Sequence, residues 1–333
     1  MKILLDGYFD NNFGDDYMIK IIVRCFPEWE FFIKHSNNIS PVITDENNVY
    51  ICENEVAYPK LIIIGSGFMI NSFASLQCEI KWFFQRKHIG DYCIGCNIEP
   101  LSNKIKEYLI KKKLQKFKMI ACRDRYSYKW LKANCKETKI YYLPDILFSM
   151  PDEWICNTGD KTKLGISILH RSNDNPDCLY YRVMAQAADY WIEKTNEVVY
   201  LLAFNTGNED DVYACQCVKS KMRHSNKAKI IKHGNKGEII EAYSECKKII
   251  GARFHSAVLA MKMGIDFFPV IYREKMRNLI CDMSYPEAGC YIDDVKLPQI
   301  KHFIDAEEIC YKLKESVTVE ARQYYNIIKE NIT

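Results

Sequence analysis

Apolar residues in this chain fall into short unbroken runs separated by longer stretches with helical spacing. Lys2-Ile3-Leu4-Leu5, Leu61-Ile62-Ile63-Ile64, Tyr92-Cys93-Ile94-Gly95 and Met119-Ile120-Ala121-Cys122 read as strands, while Tyr17 to Cys25, Ile105 to Lys116 and Ser127 to Ala133 read as helices. Strands without polar alternation are buried on both faces, as in a parallel sheet covered by helices. The alternation stops at Leu143-Pro144-Asp145, and Pro151 to Lys163 is polar and punctuated like a linker. It then restarts, with strands at Leu164–Leu169, Glu197–Ala203, Lys229–Ile231, Ile249-Ile250 and Asp266–Ile271. Helices are expected at Tyr180–Thr195, Asp210–Arg223, Lys236–Cys246 and from Ser256 onward. The pattern predicts an α/β protein of two doubly wound Rossmann-like domains facing a cleft, residues 1–155 and 163–300. A helical tail, 301–333, is expected to pack back on the first domain.

Ligands of such folds sit where the carboxyl ends of the strands meet. The segments that follow strands are Gly7–Asp16, Gly65–Gly67, Arg123–Asp124, His170–Arg171, Phe204–Asn205, Arg253–His255 and Tyr272–Lys275. Among them, Arg253-Phe254-His255 is the most informative, because an apolar strand precedes it and an apolar helix follows. That arrangement aims helix N–H groups, a permanent cation and a titratable ring at one place, which suits holding an anion and moving a proton beside it. Taken alone, a histidine at a helix start serves as readily as a cap or a core hydrogen-bond partner. Arg123 with Asp124 reads first as an internal ion pair that positions a loop, and Asp15 could simply cap a helix starting near Tyr17.

Composition narrows the partners. Of 333 residues, 48% are hydrophobic and 27% charged, with a net charge of +3, an ordinary globular balance that gives no reason to invoke nucleic acid. The run Lys111-Lys112-Lys113 is expected on a solvated helix face. The N-terminus meets Asp6 and Gly7 too early for a signal peptide, and no window is apolar enough for a transmembrane segment. Fifteen irregularly spaced cysteines read as reduced thiols of a cytoplasmic protein. Cys93 with Cys96, and Cys215 with Cys217, lack the matched second pair that a zinc site needs, so no metal is expected.

The order of motifs resembles that of the polysaccharide pyruvyl transferases over roughly residues 1–285. The family's N-x-G-D is met by Asn12-Phe13-Gly14-Asp15, and its glycine-rich turn by Gly65-Ser66-Gly67. R-D-x-x-S is met by Arg123 to Ser127, P-D by Pro144-Asp145, R-x-H by Arg253-Phe254-His255, and Y-x-x-K by Tyr272 to Lys275. Two elements depart: Ser66 replaces the middle of three glycines, and a G-x-G-P element is reduced to Gly95-Cys96-Asn97-Ile98-Glu99-Pro100. The resemblance implies a glycosyltransferase-B-like fold and transfer of the enolpyruvyl unit of phosphoenolpyruvate to sugar hydroxyls, leaving a pyruvate ketal and phosphate. It implies no cofactor beyond that donor substrate. The acceptor would be a sugar or oligosaccharide, free or lipid-linked, at the inner face of the membrane or away from it; a homo-oligomer stays open.

For that chemistry Arg253 offers a planar fork for the donor's carboxylate or phosphate, with the N–H groups near Phe254 as a second anion pocket. Arg171 and Lys275 are further candidates for the anion. His255 is the expected general acid, and Asp15 or Asp16, on the loop of the facing domain, the base. The backbone at Gly14, Gly65, Ser66 and Gly67 is expected to approach the substrate. Tyr8, Phe9 and Phe68 could stack against a sugar. Two other functions fit the same architecture. A nucleotide-sugar glycosyltransferase would use Glu209, Asp210 or Asp211 for a ribose, and an inactive carbohydrate-binding relative would need none of the catalytic groups.

Overall fold

The computed structural model describes residues 1–34, 38–52, 60–65, 67–68, 92–100, 103–155, 161–171, 175–234, 237–307, 309 and 311–332. Apolar runs form the central strands of two sheets. In the first half these are β1 (Lys2–Gly7), β4 (Leu61–Ile64), β6 (Tyr92–Ile98) and β7 (Met119–Cys122). The flanking strands are β2 (Glu30–Lys34), β3 (Val49–Cys52) and β8 (Lys139–Tyr142), while β5 (Gly67–Phe68) pairs β6 alone. The order is β3-β2-β1-β4-β6-β7-β8, and every pairing is parallel. The pattern of apolar runs did not predict β2, β3 or β8; β2 and β8 carry charged residues at their ends, whereas β3 is a short apolar run that was missed.

The second sheet consists of β9 (Lys163–Ile168), β10 (Val199–Ala203), β11 (Ala228–Lys232), β12 (Cys246–Gly251), β13 (Asp266–Ile271) and β14 (Cys290–Tyr291). Its parallel order, β11-β10-β9-β12-β13-β14, is the doubly wound 3-2-1-4-5-6 arrangement. The order in which strands are added reverses between β1 and β4 in one sheet and between β9 and β12 in the other, which makes these the switch points.

Helix α1 (Phe13–Cys25) begins four residues before the expected start. Asn12 is its cap, accepting the N–H of Gly14 at 3.0 Å and of Asp15 at 3.5 Å, so Asp15 does not cap and lies in the first turn. Further along are the short α2 (Pro41–Thr44), α3 (Lys104–Leu114), α4 (Arg125–Asn134), α5 (Leu179–Thr195), α6 (Asp211–Ser220), α7 (Glu238–Ser244), α8 (Phe254–Lys262), α9 (Glu274–Asp282), α10 (Leu297–Asp305) and α11 (Glu315–Ile332). The lysine run on α3 is not wholly solvated: Lys113 is only 9% exposed, turned inward beside Ile110 and Leu114. Helix α10 packs on α5 within the second domain, whereas α11 returns to the first. There the Tyr325 ring stacks on Phe26 at 5.0 Å, and the Tyr92 hydroxyl donates to the Asn331 carbonyl at 2.9 Å. Among the described residues no helix is long and apolar enough to cross a membrane.

One apolar cluster runs through both domains, from Ile3 and Phe31 past Phe148 to Leu202, Val258 and Tyr324. The halves are also joined by polar contacts. Phe13 N donates to Phe204 O at 2.9 Å, and Thr206 N to Asn11 O at 3.2 Å. The Asp10 carboxylate accepts from the Asn208 backbone at 2.9 Å and from Asn38 and the Asn208 side chain at 2.8 Å each. A side chain at Gly207 would meet Asp10 at 2.3 Å, so this crossing requires glycine. Deeper still, Asp16 meets His233 Nε2 at 2.7 Å, both side chains almost fully buried. Burial favours the protonated form of Asp16, opposed by the bond and charge of His233.

His233→Ala would leave the Asp16 carboxyl buried without that partner, an arrangement that costs roughly 3 kcal/mol or more. Denaturant unfolding should show a loss of that size, and the double substitution Asp16→Ala/His233→Ala should cost less than the two single losses added.

Candidate active site

A cavity of about 410 Å³ lies between the two switch points. The first domain contributes Gly7 and Tyr8 after β1, Asp15 from α1, Gly65 and Gly67 around the turn after β4, Asn97 and Glu99 at the end of β6, and Arg123 after β7. From the second come Phe204, Arg253, Phe254, His255 and Lys275. Of the anticipated residues, Asp15, Gly65, Gly67, Arg253, Phe254, His255 and Lys275 are therefore brought together. Ser66 lies outside the described residues, as does the side chain of Phe68.

Asp16 and Arg171 lie away from the cavity, and Arg253 lines it with its fork already engaged. Asp16 points into the core toward His233 and does not line the cavity. Arg171 pairs with Asp293 at 2.8 Å on an exposed surface and is not among the lining residues. Arg253 does line the cavity, but its fork is already engaged: Nε and Nη2 donate to Asp211 at 2.8 and 2.6 Å, and Nη1 to Glu209. Burial opposes the charge on Arg253, yet Asp211 and Glu209 outweigh it and hold the proton more firmly than usual. Asp211 also accepts the N–H of His170 and of Asn205 at 2.9 Å each, so this pair ties together three strand ends of the second domain.

The cation at the centre of the cavity is Arg123. It pairs with Asp145 and not with Asp124, whose carboxylate instead caps α4 by accepting from Ser127 N at 2.8 Å and Oγ at 2.7 Å. Arg123 Nη1 donates to Asp145 at 2.9 Å and Nη2 to Asn97 Oδ1 at 2.9 Å, while its carbon lies 4.3 Å above the Phe254 ring. Its Nε has no hydrogen-bond partner among the described residues. Strand-end position and the R-D-x-x-S motif marked Arg123 in the sequence; the choice of Asp145 over the adjacent Asp124 is tertiary. Lys275 reaches the other side of this group, 5.7 Å from the Phe254 ring and 5.3 Å from that of Tyr272.

His255 stands beside Arg123, with Nε2 3.3 Å from Nη1 and 3.7 Å from Asp145 Oδ2. A guanidinium only donates, so in the neutral ring Nε2 accepts from Arg123 and the hydrogen belongs on Nδ1. Burial lowers the proton affinity of the ring below the usual histidine value; Asp145 opposes this, and Arg123 and Lys275 add to it. Asp145 itself is held well below the usual carboxylate range, because His255, Arg123 and the Leu147 N–H outweigh its burial. The Nδ1 edge packs on α1: a Cβ at Gly14 would lie 1.6 Å from it. Gly14 thus makes room for the His255 ring without lining the cavity itself.

Asp15 is pushed up to about 7, chiefly by desolvation and further by Asp16 and Asp145, against the pull of Arg123 and Lys275. Gly65 accommodates it, since at φ +73° a side chain is disfavoured and a Cβ would approach Asp15 Oδ1 to 2.7 Å. At the start of α8 Arg253 supplies no side-chain cap, and the Ser256 N–H bonds the Arg253 carbonyl at 3.1 Å. The site therefore holds a carboxyl pushed up to about 7, a histidine whose proton affinity burial lowers, and the cations Lys113, Arg123, Arg253, Arg273 and Lys275. Among the described residues, no group of three or more histidine, cysteine or acidic side chains is placed to hold a metal.

Two doubly wound parallel sheets with the site between their switch points define a glycosyltransferase-B-like fold. The UDP-GlcNAc 2-epimerase of Methanocaldococcus jannaschii, in complex with UDP-GlcNAc and UDP, aligns with a TM-score of 0.59 at 10% identity, over 99% of this chain and 100% of that one. The wall teichoic acid polymerase TagF gives 0.55 at 11% identity over 99% and 89%. The Anabaena protein HepE, in complex with UDP and glucose, gives 0.52 at 12% over 100% and 97%. At such identities the likeness is one of fold. The family model of the polysaccharide pyruvyl transferases matches residues 12–274, and the chain belongs to that family. No curated protein matches it.

The raised Asp15 carboxyl has a consequence for stability. The native state binds its proton up to about pH 7, whereas an unfolded aspartate releases it near 3.8. The native state is therefore penalised increasingly as pH rises from about 4 to 7. Asp15→Asn should be more stable than the parent protein at pH about 8, by on the order of 4 kcal/mol. That gain should shrink on acidification and disappear near pH 4; a gain independent of pH would show that the carboxyl is not perturbed.

Proposed function

We propose that the protein is a ketal-forming pyruvyl transferase, moving the pyruvyl unit of phosphoenolpyruvate onto two hydroxyls of one sugar. The observation that carries this reading is the presence of His255, Asp15, Arg123 and Lys275 in one cavity of a chain of this family. A volume of about 410 Å³ has room for more than a three-carbon donor. With Arg253 engaged by Asp211 and Glu209, charge for the donor comes from Arg123 and Lys275, with the α8 N–H groups beside them.

In this mechanism His255 gives a proton to the methylene carbon of the donor, whose central carbon becomes cationic. A first hydroxyl adds there, and its proton passes to Asp15. The carbon–phosphate oxygen bond then breaks, phosphate leaves, and the second hydroxyl closes the ketal. One hydroxyl proton replaces that given to the methyl group and the other leaves with phosphate, so the step balances. Binding a multiply charged anion beside His255 counteracts the desolvation that keeps the ring neutral, so the donor recruits its own proton. The carboxylates that a nucleotide-sugar reading would assign to a ribose are spent otherwise: Glu209 and Asp211 hold Arg253, and Asp210 caps α6.

With phosphoenolpyruvate and a panel of glycans, the expected result is acceptor-dependent phosphate release with a ketal in the product. His255→Ala should lower kcat by about 10²–10⁴-fold. Donor affinity should weaken as pH rises in the parent protein and lose that dependence in the variant. Thermal stabilisation by a nucleotide sugar, with none by phosphoenolpyruvate, would overturn the assignment.

A further inference from the structure

Strand β6 is apolar until it reaches the cavity, where Asn97 and then Glu99 present polar side chains. Both are deeply buried, with 2% and 6% of their surface exposed. Asn97 Oδ1 accepts from Arg123 Nη2 at 2.9 Å, which fixes the orientation of the amide, because the guanidinium cannot accept. Asn97 Nδ2 is then a donor with no partner among the described residues, and Glu99 Oε1 an acceptor with none. Burial makes the Glu99 carboxyl hold its proton more tightly than usual, although Arg273, Lys275 and Arg123 pull the other way. These are the two side chains that stand at the reduced glycine positions of the G-x-G-P element.

An unpaired donor next to an unpaired carboxyl selects among ligands. A phosphate or carboxylate would be repelled by Glu99, and a metal ion by Arg123, Arg273 and Lys275. A hydroxyl both donates and accepts, so a pair of hydroxyls satisfies both orphans at once. We infer that Asn97 and Glu99 form the subsite for the acceptor diol. Asn97 Nδ2 donates to one hydroxyl oxygen, and the Glu99 carboxyl accepts from the neighbouring hydroxyl of the same saccharide. The naming of this diol as acceptor rests on the pyruvyl-transfer reading; its chemistry rests on the two orphan atoms.

The test uses Asn97→Asp, which keeps the oxygen that faces Arg123 and removes the donor, and Glu99→Ala. In the turnover assay each variant should raise the acceptor KM at least about tenfold, the loss of one buried hydrogen bond. The donor KM should stay within about threefold of the parent value. Wild type should discriminate against an acceptor with one hydroxyl of the diol removed, and one of the two variants should no longer do so. Glu99→Ala should also melt no lower than the parent protein, because it removes a buried carboxyl that lacks a partner; a purely structural Glu99 would lower the melting point. Equal rises in both KM values, or an unchanged acceptor KM, would overturn the subsite. If no glycan turns over, the function assignment fails separately, and binding of methyl pyranosides with a free 4,6- or 3,4-diol decides the subsite. Binding by the parent protein that is lost in both variants sustains it, and no binding, or binding unaffected by the variants, overturns it.

Discussion

A guanidinium buried at the end of β7 sets the terms for everything around it. Removing the charge of Arg123 from water would cost several kcal/mol without compensation. Asp145 neutralises it, Asn97 accepts from it, and the face of Phe254 covers it. The first two partners lie in the first domain and the third in the second. Docking of the domains thus completes the solvation of the charge. It also brings His255, the residue after Phe254, into contact with the same guanidinium, whose charge adds to burial in lowering the proton affinity of the ring.

The two arginines divide what the sequence would assign to one. Arg253 occupies the position where a helix start and a strand end converge, yet its fork closes on Asp211 and Glu209 and makes it a brace for the second domain. Arg123 spends Nη1 and Nη2 on Asp145 and Asn97 and retains Nε without a partner. The brace thus belongs to the second domain, and the arginine with an unpartnered N–H to the first.

The buried strands were legible because a parallel sheet leaves no polar face to disguise them. The cleft followed, since strand ends in two such sheets can only meet there. Partner choice was not legible. Arg123 follows Cys122 and precedes Asp124, and nothing local favours Asp145, some twenty residues on, over its neighbour. Asp15 and Asp16 look equivalent in the chain, but on α1 they project about 100° apart, one to the cavity and one to His233. Arg171 follows a strand as expected, though its length allows it to turn away toward Asp293. Lys113 belongs to a charged run, while its register on α3 puts it with Ile110 and Leu114. For Asn97 and Glu99 the sequence did hold a signal: two polar residues continuing an apolar strand directly into the predicted cleft.

Eight buried side-chain atoms lack a hydrogen-bond partner among the described residues, and three of them, on Asn97, Glu99 and Arg123, belong to this one cavity. Each such atom costs about 1–3 kcal/mol relative to a satisfied one. Chance placement in a chain of this size would scatter them. Their convergence means that the unliganded protein carries a local deficit of hydrogen bonds at the place where Asp15 and His255 also depart from their usual proton affinities. A ligand that supplies the missing partners recovers that free energy only if its groups match in kind: an anion for Arg123, and an oxygen and a hydroxyl hydrogen for Asn97 and Glu99. The cavity therefore discriminates through its own unsatisfied atoms. On the pyruvyl-transfer reading, donor and acceptor would be told apart by which of these atoms each satisfies.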